Sequence, residues 1–266
     1  MSNPRFRWYE LMTTDAAAAA VFYRAVVGWR TEDAGGPGMA YTTFHVGDAY
    51  GMAGMLTLSP EALAAGAQPG WMGYLGVPDV DDYARRLVAA GGTVHQPPMD
   101  IPGVLRMAGV KDPTGTAFVI YKGIPQTGEA DAGPPEGAPG EVGYVGWREL
   151  MAGDGQRAFD FYSGLFGWNE AGVHDMGPMG TYRLWSTTGA MGMAAAEGGM
   201  MTAPPGGPGP RWNFYFRVAG ADAAAARITA AGGQVINGPH QVPSNDWVVQ
   251  ALDPQGASFN LISATK

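Results

Sequence analysis

Hydrophobic and polar positions follow two periods along this chain. From Trp8 to Met12, in WYELM, large side chains alternate, with Trp8, Glu10 and Met12 on one side and Tyr9 and Leu11 on the other. That is the spacing of a half-buried strand. The run AAAAAVFYRAVV that follows carries apolar residues at helical spacing, with Thr14 and Asp15 placed to cap it and Gly28 to end it. Residues 41–57 then read as two strands broken at Gly47-Asp48. The order strand, helix, strands then recurs: MGYLGV, a short helix over Val80 to Ala90, a Gly-Gly turn, and strands that close through Asp112-Pro113-x-Gly115 before FVIY.

The whole pattern then occurs a second time. Residues 8–29 match residues 147–168 at a constant offset of 139, preserving W-x-E-L-M, the Asp, F-Y and G-W. After a two-residue insertion the offset is 141. It then aligns Tyr41 with Tyr182, Gly51-Met52 with Gly192-Met193, Trp71-x-x-Tyr74 with Trp212-x-x-Tyr215, and Asp112-Pro113 with Asp253-Pro254. In the second copy Asp154 takes the capping place, Gly167 the helix end, and residues 182–196 the two strands. The chain therefore reads as two domains, 5–122 and 144–264, joined by a Pro/Gly-rich acidic linker over 123–143. Four βαβββ-like modules result. Since one module cannot bury a sheet face alone, pairing should curl the strands around a cavity with the helices outside, an α+β architecture of mixed sheets.

Composition narrows the function classes. Of 266 residues, 42 are Gly and 21 Pro, which fits many short turns and a linker, since the apolar share is 46% and the aromatics are spread along the chain. A net charge of −8 repels phosphate backbones and anionic lipid surfaces, so neither nucleic acid nor membrane is expected as a partner. The absence of cysteine removes disulfides, thiolate nucleophiles and thiolate-bound metals. MSNPRFRWYEL lacks the pattern of a secretory signal, and no apolar run reaches the ~18 residues that span a bilayer, so a cytoplasmic soluble protein is expected. Internal duplication can replace a homodimer, which makes a monomer carrying its own pseudo-dimer the expected state. The four histidines, His45, His95, His174 and His240, show no i, i+2 or i, i+4 pairing of the kind that holds a metal.

A first strand followed by AxxFYxxVxGW, the V-x-D-V-D-D segment at Val77 to Asp82, the Gly-Gly turn and D-P-x-G before the last strand together resemble the vicinal oxygen chelate superfamily. That group includes glyoxalase I, bleomycin-resistance proteins, fosfomycin-resistance enzymes and extradiol dioxygenases. The tandem form with W-x-E-L in both halves is similar to two-domain actinobacterial members described as glyoxalase-like or as hydroxylases. Family enzymes hold a metal through His, Glu or Gln. The resemblance places those positions at Trp8 and Trp147, at Met72 and Asn213, and at Val119 and Asn260, while the fourth-strand stretches AYGMAGML and AMGMAAA contain no carboxylate. No metal ligand and no cofactor is therefore expected, with a divalent ion kept as the alternative.

Strand alternation, with the face set by the resemblance, sends Trp8, Glu10, Met72, Tyr74 and Tyr121 to one concave face and Trp147, Glu149, Asn213, Tyr215, Arg217 and Asn260 to the other. If modules exchange between copies, Trp8 and Glu10 instead join Asn213, Tyr215 and Asn260. Glu10 and Glu149 are the acid/base candidates, and the remaining residues are candidate ligand contacts. Three functions compete. The chain is a binder of a small aromatic or hydrophobic molecule, a glyoxalase-like lyase or isomerase or a hydroxylase or dioxygenase acting on a small metabolite, or an interaction protein with filled cavities.

Overall fold

The structure is a computed structural model, and it describes residues 3–36, 40–48, 51–124 and 137–266. Residues 125–136 of the expected linker lie outside the described residues. The first copy runs β1 (Arg5–Thr13), α1 (Ala16–Val26), β2 (Arg30–Asp33), β3 (Thr42–His45), β4 (Ala53–Thr57), α2 (Pro60–Ala64), β5 (Gly70–Gly76), α3 (Val80–Ala89), β6 (Thr93–Ile101), β7 (Leu105–Lys111) and β8 (Ala117–Gly123). The second runs β9 (Val145–Ala152), α4 (Gly155–Phe166), β10 (Asn169–Asp175), β11 (Thr181–Ser186), β12 (Gly198–Thr202), β13 (Arg211–Arg217), α5 (Ala221–Ala230), β14 (Gln234–Gln241), β15 (Trp247–Leu252) and β16 (Ser258–Ser263).

Local chemistry sets these limits. Asp15 and Asp154 accept from the backbone N–H of Ala18 and Arg157, as the sequence predicts for helix caps, and Gly167 closes α4 in the left-handed region at φ 73°. α3 is capped by Asp79, whereas α5 begins at Gly220 without a side-chain cap. One pair of strands differs from the sequence reading. Residues 193–195 form a turn of 3-10 helix, and the fourth strand of the second copy is Gly198–Thr202. Extra residues thus lie between β11 and β12, and the strand that faces β9 is GGMMT, not AMGMAAA.

Two eight-stranded mixed sheets result, ordered β2-β3-β4-β1-β5-β8-β7-β6 and β10-β11-β12-β9-β13-β16-β15-β14. Each draws its strands from one copy. The compact units are composed differently: one contains Met1–Arg7, Gly73–Gly133 and Arg148–Asn213, the other Trp8–Met72, Pro134–Trp147 and Phe214–Lys266. Every unit therefore contains chain from both copies.

The cores follow from this exchange. In the second unit α1 buries Ala19, Phe22, Tyr23 and Val26, and Phe22 and Tyr23 meet Phe259 of β16 with ring centroids 5.5 and 5.4 Å apart. In the first, Tyr162 and Phe166 of α4 meet Phe118 of β8 at 5.6 and 6.1 Å. Each Tyr also anchors a buried polar triad. Trp71 Nε1 donates to Tyr23 Oη at 3.0 Å, and Tyr23 donates to Asp253 Oδ2 at 3.1 Å. Trp212, Tyr162 and Asp112 repeat this at 3.1 and 3.3 Å. The other oxygen of each Asp accepts backbone N–H groups of its own Asp-Pro-x-Gly turn, from Thr114 and Thr116 or from Gln255 and Ala257. Burial pushes the Tyr23 and Tyr162 phenols well above the usual tyrosine range, so both donate as neutral groups. The F-Y, W-x-x-Y and D-P-x-G motifs are thus one device, assembled within each unit from both copies. A second such device is the G-W indole: Trp29 Nε1 donates to the Gly143 carbonyl at 2.8 Å, and Trp168 Nε1 to that of Pro4 at 2.7 Å.

Candidate functional site

The face of each sheet turned away from these cores carries the residues singled out from the sequence. On β1, Glu10 lies opposite Gly54 of β4 and is 7% exposed. Its Oε2 accepts from Tyr41 Oη at 3.0 Å, and that hydroxyl in turn accepts from Trp8 Nε1 at 3.2 Å. On β9, Glu149 lies opposite Gly199 and is 8% exposed. Its Oε1 accepts from Tyr182 Oη at 3.1 Å, and its Oε2 from Asn213 Nδ2 at 3.3 Å. The amide oxygen of Asn213 accepts from Arg211 Nε at 3.0 Å. A Glu–Tyr pair is therefore common to both copies. The second carboxylate is held through both oxygens and backed by a guanidinium.

Glycine makes room for these tyrosines. A Cβ at Gly54 would stand 1.9 Å from Tyr41 Oη, and one at Gly199 would stand 2.2 Å from the Tyr182 ring, so any side chain there would drive the phenol off its glutamate. Neither tyrosine is among the site residues that the sequence suggests, although the repeat register superposes them. That coincidence, beside a glutamate placed alike in the same two copies, is the available signal.

The remaining candidates lie on other strands of the same two sheets. In the first unit, Tyr74 and Tyr121 lie with ring centroids 6.0 Å apart, and Val119 stands opposite Tyr74 in the register of β5 and β8. His95 lies over Gly109 of β7: a Cβ at Gly109 would stand 2.7 Å from its Nε2. Burial lowers the imidazole's pKa, and the Lys111 ammonium adds to the effect. In the second unit, Tyr215, Val248 and Ile262 form a buried cluster with Trp147 packed against it. Asn237 Nδ2 donates to Gln250 Oε1 at 3.2 Å, and Gln250 Nε2 donates to Tyr215 Oη at 3.3 Å. Asn260 stands opposite both Tyr215 and Gln250 in the strand register. Arg217 lies along Gly146, where a Cβ would meet its Nε at 2.6 Å. Met72 is half-buried on β5.

Among the described residues no three His, Cys, Asp or Glu side chains come together in a way that could hold a metal ion. His45 is buried but occupied, with Nε2 2.7 Å from Thr43 Oγ1 and 3.4 Å from Glu32. A cleft of about 560 Å³ lies in the first unit between α3 and α4, lined by Arg86, Pro113, Arg157, Asp160 and Phe161 among others, and it includes none of the sequence-derived candidates. No helix among the described residues is long and apolar enough to cross a membrane.

Comparison with known proteins agrees with this geometry. The family model described as the Glyoxalase/Bleomycin resistance protein/Dioxygenase superfamily matches residues 5–120 and 143–261. A protein of Mycobacterium tuberculosis named "Putative glyoxylase CFP32" is 34% identical over 265 residues, covering 96% of this chain and 93% of that protein. The anthracycline biosynthesis protein DnrV of Streptomyces peucetius is 32% identical over 268 residues, with 96% and 91% covered. Among solved structures, the Mn(II)-bound glyoxalase of Novosphingobium aromaticivorans superposes with a TM-score of 0.65 at 18% identity, covering all of this chain and 84% of that one. At that identity the likeness is one of fold.

Proposed function

Because this chain belongs to the glyoxalase, bleomycin resistance protein and dioxygenase superfamily, we propose that it binds a small aromatic or hydrophobic molecule on its concave sheet faces without a resident metal. The observation that carries this reading is the donor set. The positions where the family resemblance puts metal ligands hold Trp8, Met72 and Val119 in one copy and Trp147, Asn213 and Asn260 in the other. Indole and valine offer no donor and thioether is too soft, so the Asn213 and Asn260 carboxamide oxygens are the only hard donors at these positions, too few to make a site for a hard divalent ion. The donors present do not fit the family's ion, so no chemical step is routed through one.

The residues suit ligand binding instead. Tyr74 with Tyr121 and Trp147 with Tyr215 present flat, largely buried aromatic surface, the kind that covers a planar ligand. Glu149 is held through both oxygens, by Tyr182 and Asn213, which fixes it as an orienting acceptor. The relative named for anthracycline biosynthesis supports a ligand of fused planar rings. Glu149→Gln is expected to alter affinity for a panel of planar aromatic compounds at least about fivefold in titration calorimetry, the loss of one charged hydrogen bond, while shifting Tm by no more than about 2 °C. Unchanged affinity with a fall of several degrees would make Glu149 structural and remove it from the site.

A further inference from the structure

Asn260 differs from every other buried amide on its face. It is 4% exposed, yet its carboxamide makes no hydrogen bond with any described residue. Its polar atoms are also not among the sealed groups without partners, which among the described residues are Thr116 Oγ1, Trp185 Nε1 and Gln255 Oε1. The amide is therefore tucked away without its oxygen and nitrogen being fully sealed. Its neighbours are committed elsewhere: Gln250 spends its oxygen on Asn237 and its nitrogen on Tyr215. Apolar walls flank it, since Tyr215, Val248, Ile262 and Trp147 cluster on the same part of the sheet.

The first copy shows that folding does not require this amide. Val119 occupies the same register opposite Tyr74, and Gly109 takes the place of Gln250. The second copy has thus exchanged a residue that satisfies the sheet for one that leaves a donor and an acceptor unused on a mostly apolar face. An amide left so costs free energy unless something else completes it.

Resting on the binding function argued above, we propose that Asn260 is the polar anchor of a subsite for flat, neutral rings that carry a hydrogen-bond donor beside an acceptor, the edge presented by lactams. A carboxamide offers one N–H and one C=O side by side in a plane, so it pairs with such an edge through two parallel hydrogen bonds. Trp147 and Tyr215 would cover the ring. The first copy, with Val119, reads no such edge.

The full-length protein is titrated with 2-quinolone, with 1-methyl-2-quinolone, which lacks the donor, and with naphthalene. Wild type is expected to prefer 2-quinolone over its methyl derivative at least about fivefold, the worth of one hydrogen bond. Asn260→Val, which installs the residue of the first copy, abolishes the preference, weakening 2-quinolone more than the methyl derivative. Asn260→Leu, which keeps a similar shape and loses both the N–H and the C=O, gives the same loss should the valine variant fold poorly. Equal binding of the two quinolones by wild type, or a preference that survives in both variants, overturns the assignment of Asn260 while naphthalene binding leaves the broader reading in place. Failure of all three compounds to bind overturns both.

Discussion

Replacing Asp253 by alanine is expected to cost about 3 kcal/mol, at roughly 1 kcal/mol for each of three hydrogen bonds, and to lower Tm by about 6 to 10 °C. The residue is 4% exposed and accepts from Tyr23 Oη, from the Gln255 N–H and from the Ala257 N–H. Alanine would leave these donors facing a small void, with the Tyr23 hydroxyl still required to accept from Trp71. The substitution Asp253→Asn keeps the turn contacts but offers Tyr23 a donor where it needs an acceptor, so a loss of about 1 kcal/mol is expected. The pH dependence has a definite sign. Burial raises the Asp253 pKa above its ordinary value of 3.8, so the folded state binds the proton more tightly than the unfolded chain does. This contribution is fully present below pH 3.8 and is lost as pH rises through the raised folded value. Asparagine does not titrate. The advantage of wild type over Asp253→Asn should therefore be greatest at the acid end and shrink toward neutrality. Denaturant titrations of both proteins across that range check the prediction, and an advantage that grows with pH would contradict it.

Cutting the chain between residues 125 and 136 is expected not to release two domains. A protease site placed there should yield two fragments under denaturing conditions and a single particle of about 27.8 kDa under native conditions. The reason is the composition of the compact units. Tyr23 of one copy needs Asp253 of the other, and Tyr162 needs Asp112. Arg227 caps α1 through two hydrogen bonds to the Val26 carbonyl, at 3.2 and 2.9 Å, as Arg86 caps α4 through that of Leu165. A lone copy would expose Phe22, Phe118, Phe161 or Phe259, all buried here, and each such side chain is worth about 1.5 to 3 kcal/mol of burial. Either copy expressed alone should then be insoluble or pair with itself. Two separate, folded, monodisperse halves would show that the copies are self-sufficient.

These two expectations mark where the sequence is informative and where it is not. The duplication, the strand and helix order and the capping aspartates are legible, because offset, alternation and caps are local signals. Register carries Tyr41 onto Tyr182 and Tyr74 onto Tyr215 in the same way. The partner of Glu149 is less accessible. Arg217 shares its strand face by alternation, whereas Asn213 and Tyr182 hydrogen-bond Glu149, contacts that alternation alone does not specify. The position of β12 escapes the pattern because Gly192-Met193 imitates Gly51-Met52 in sequence, whereas the strand begins at Gly198, where the absence of a Cβ admits the Trp185 ring. The unused carboxamide of Asn260 is not legible either, since it follows from what Gln250 and Tyr215 do with their own groups.

The most direct test of a metal-independent binding site is to strip the purified protein with a chelator, measure its metal content, and titrate it calorimetrically with a planar aromatic ligand before and after adding Mn(II), Zn(II), Ni(II) or Fe(II). The account predicts the same affinity and the same stoichiometry in every case. Binding that vanishes on stripping and returns with one equivalent of a divalent ion would contradict it.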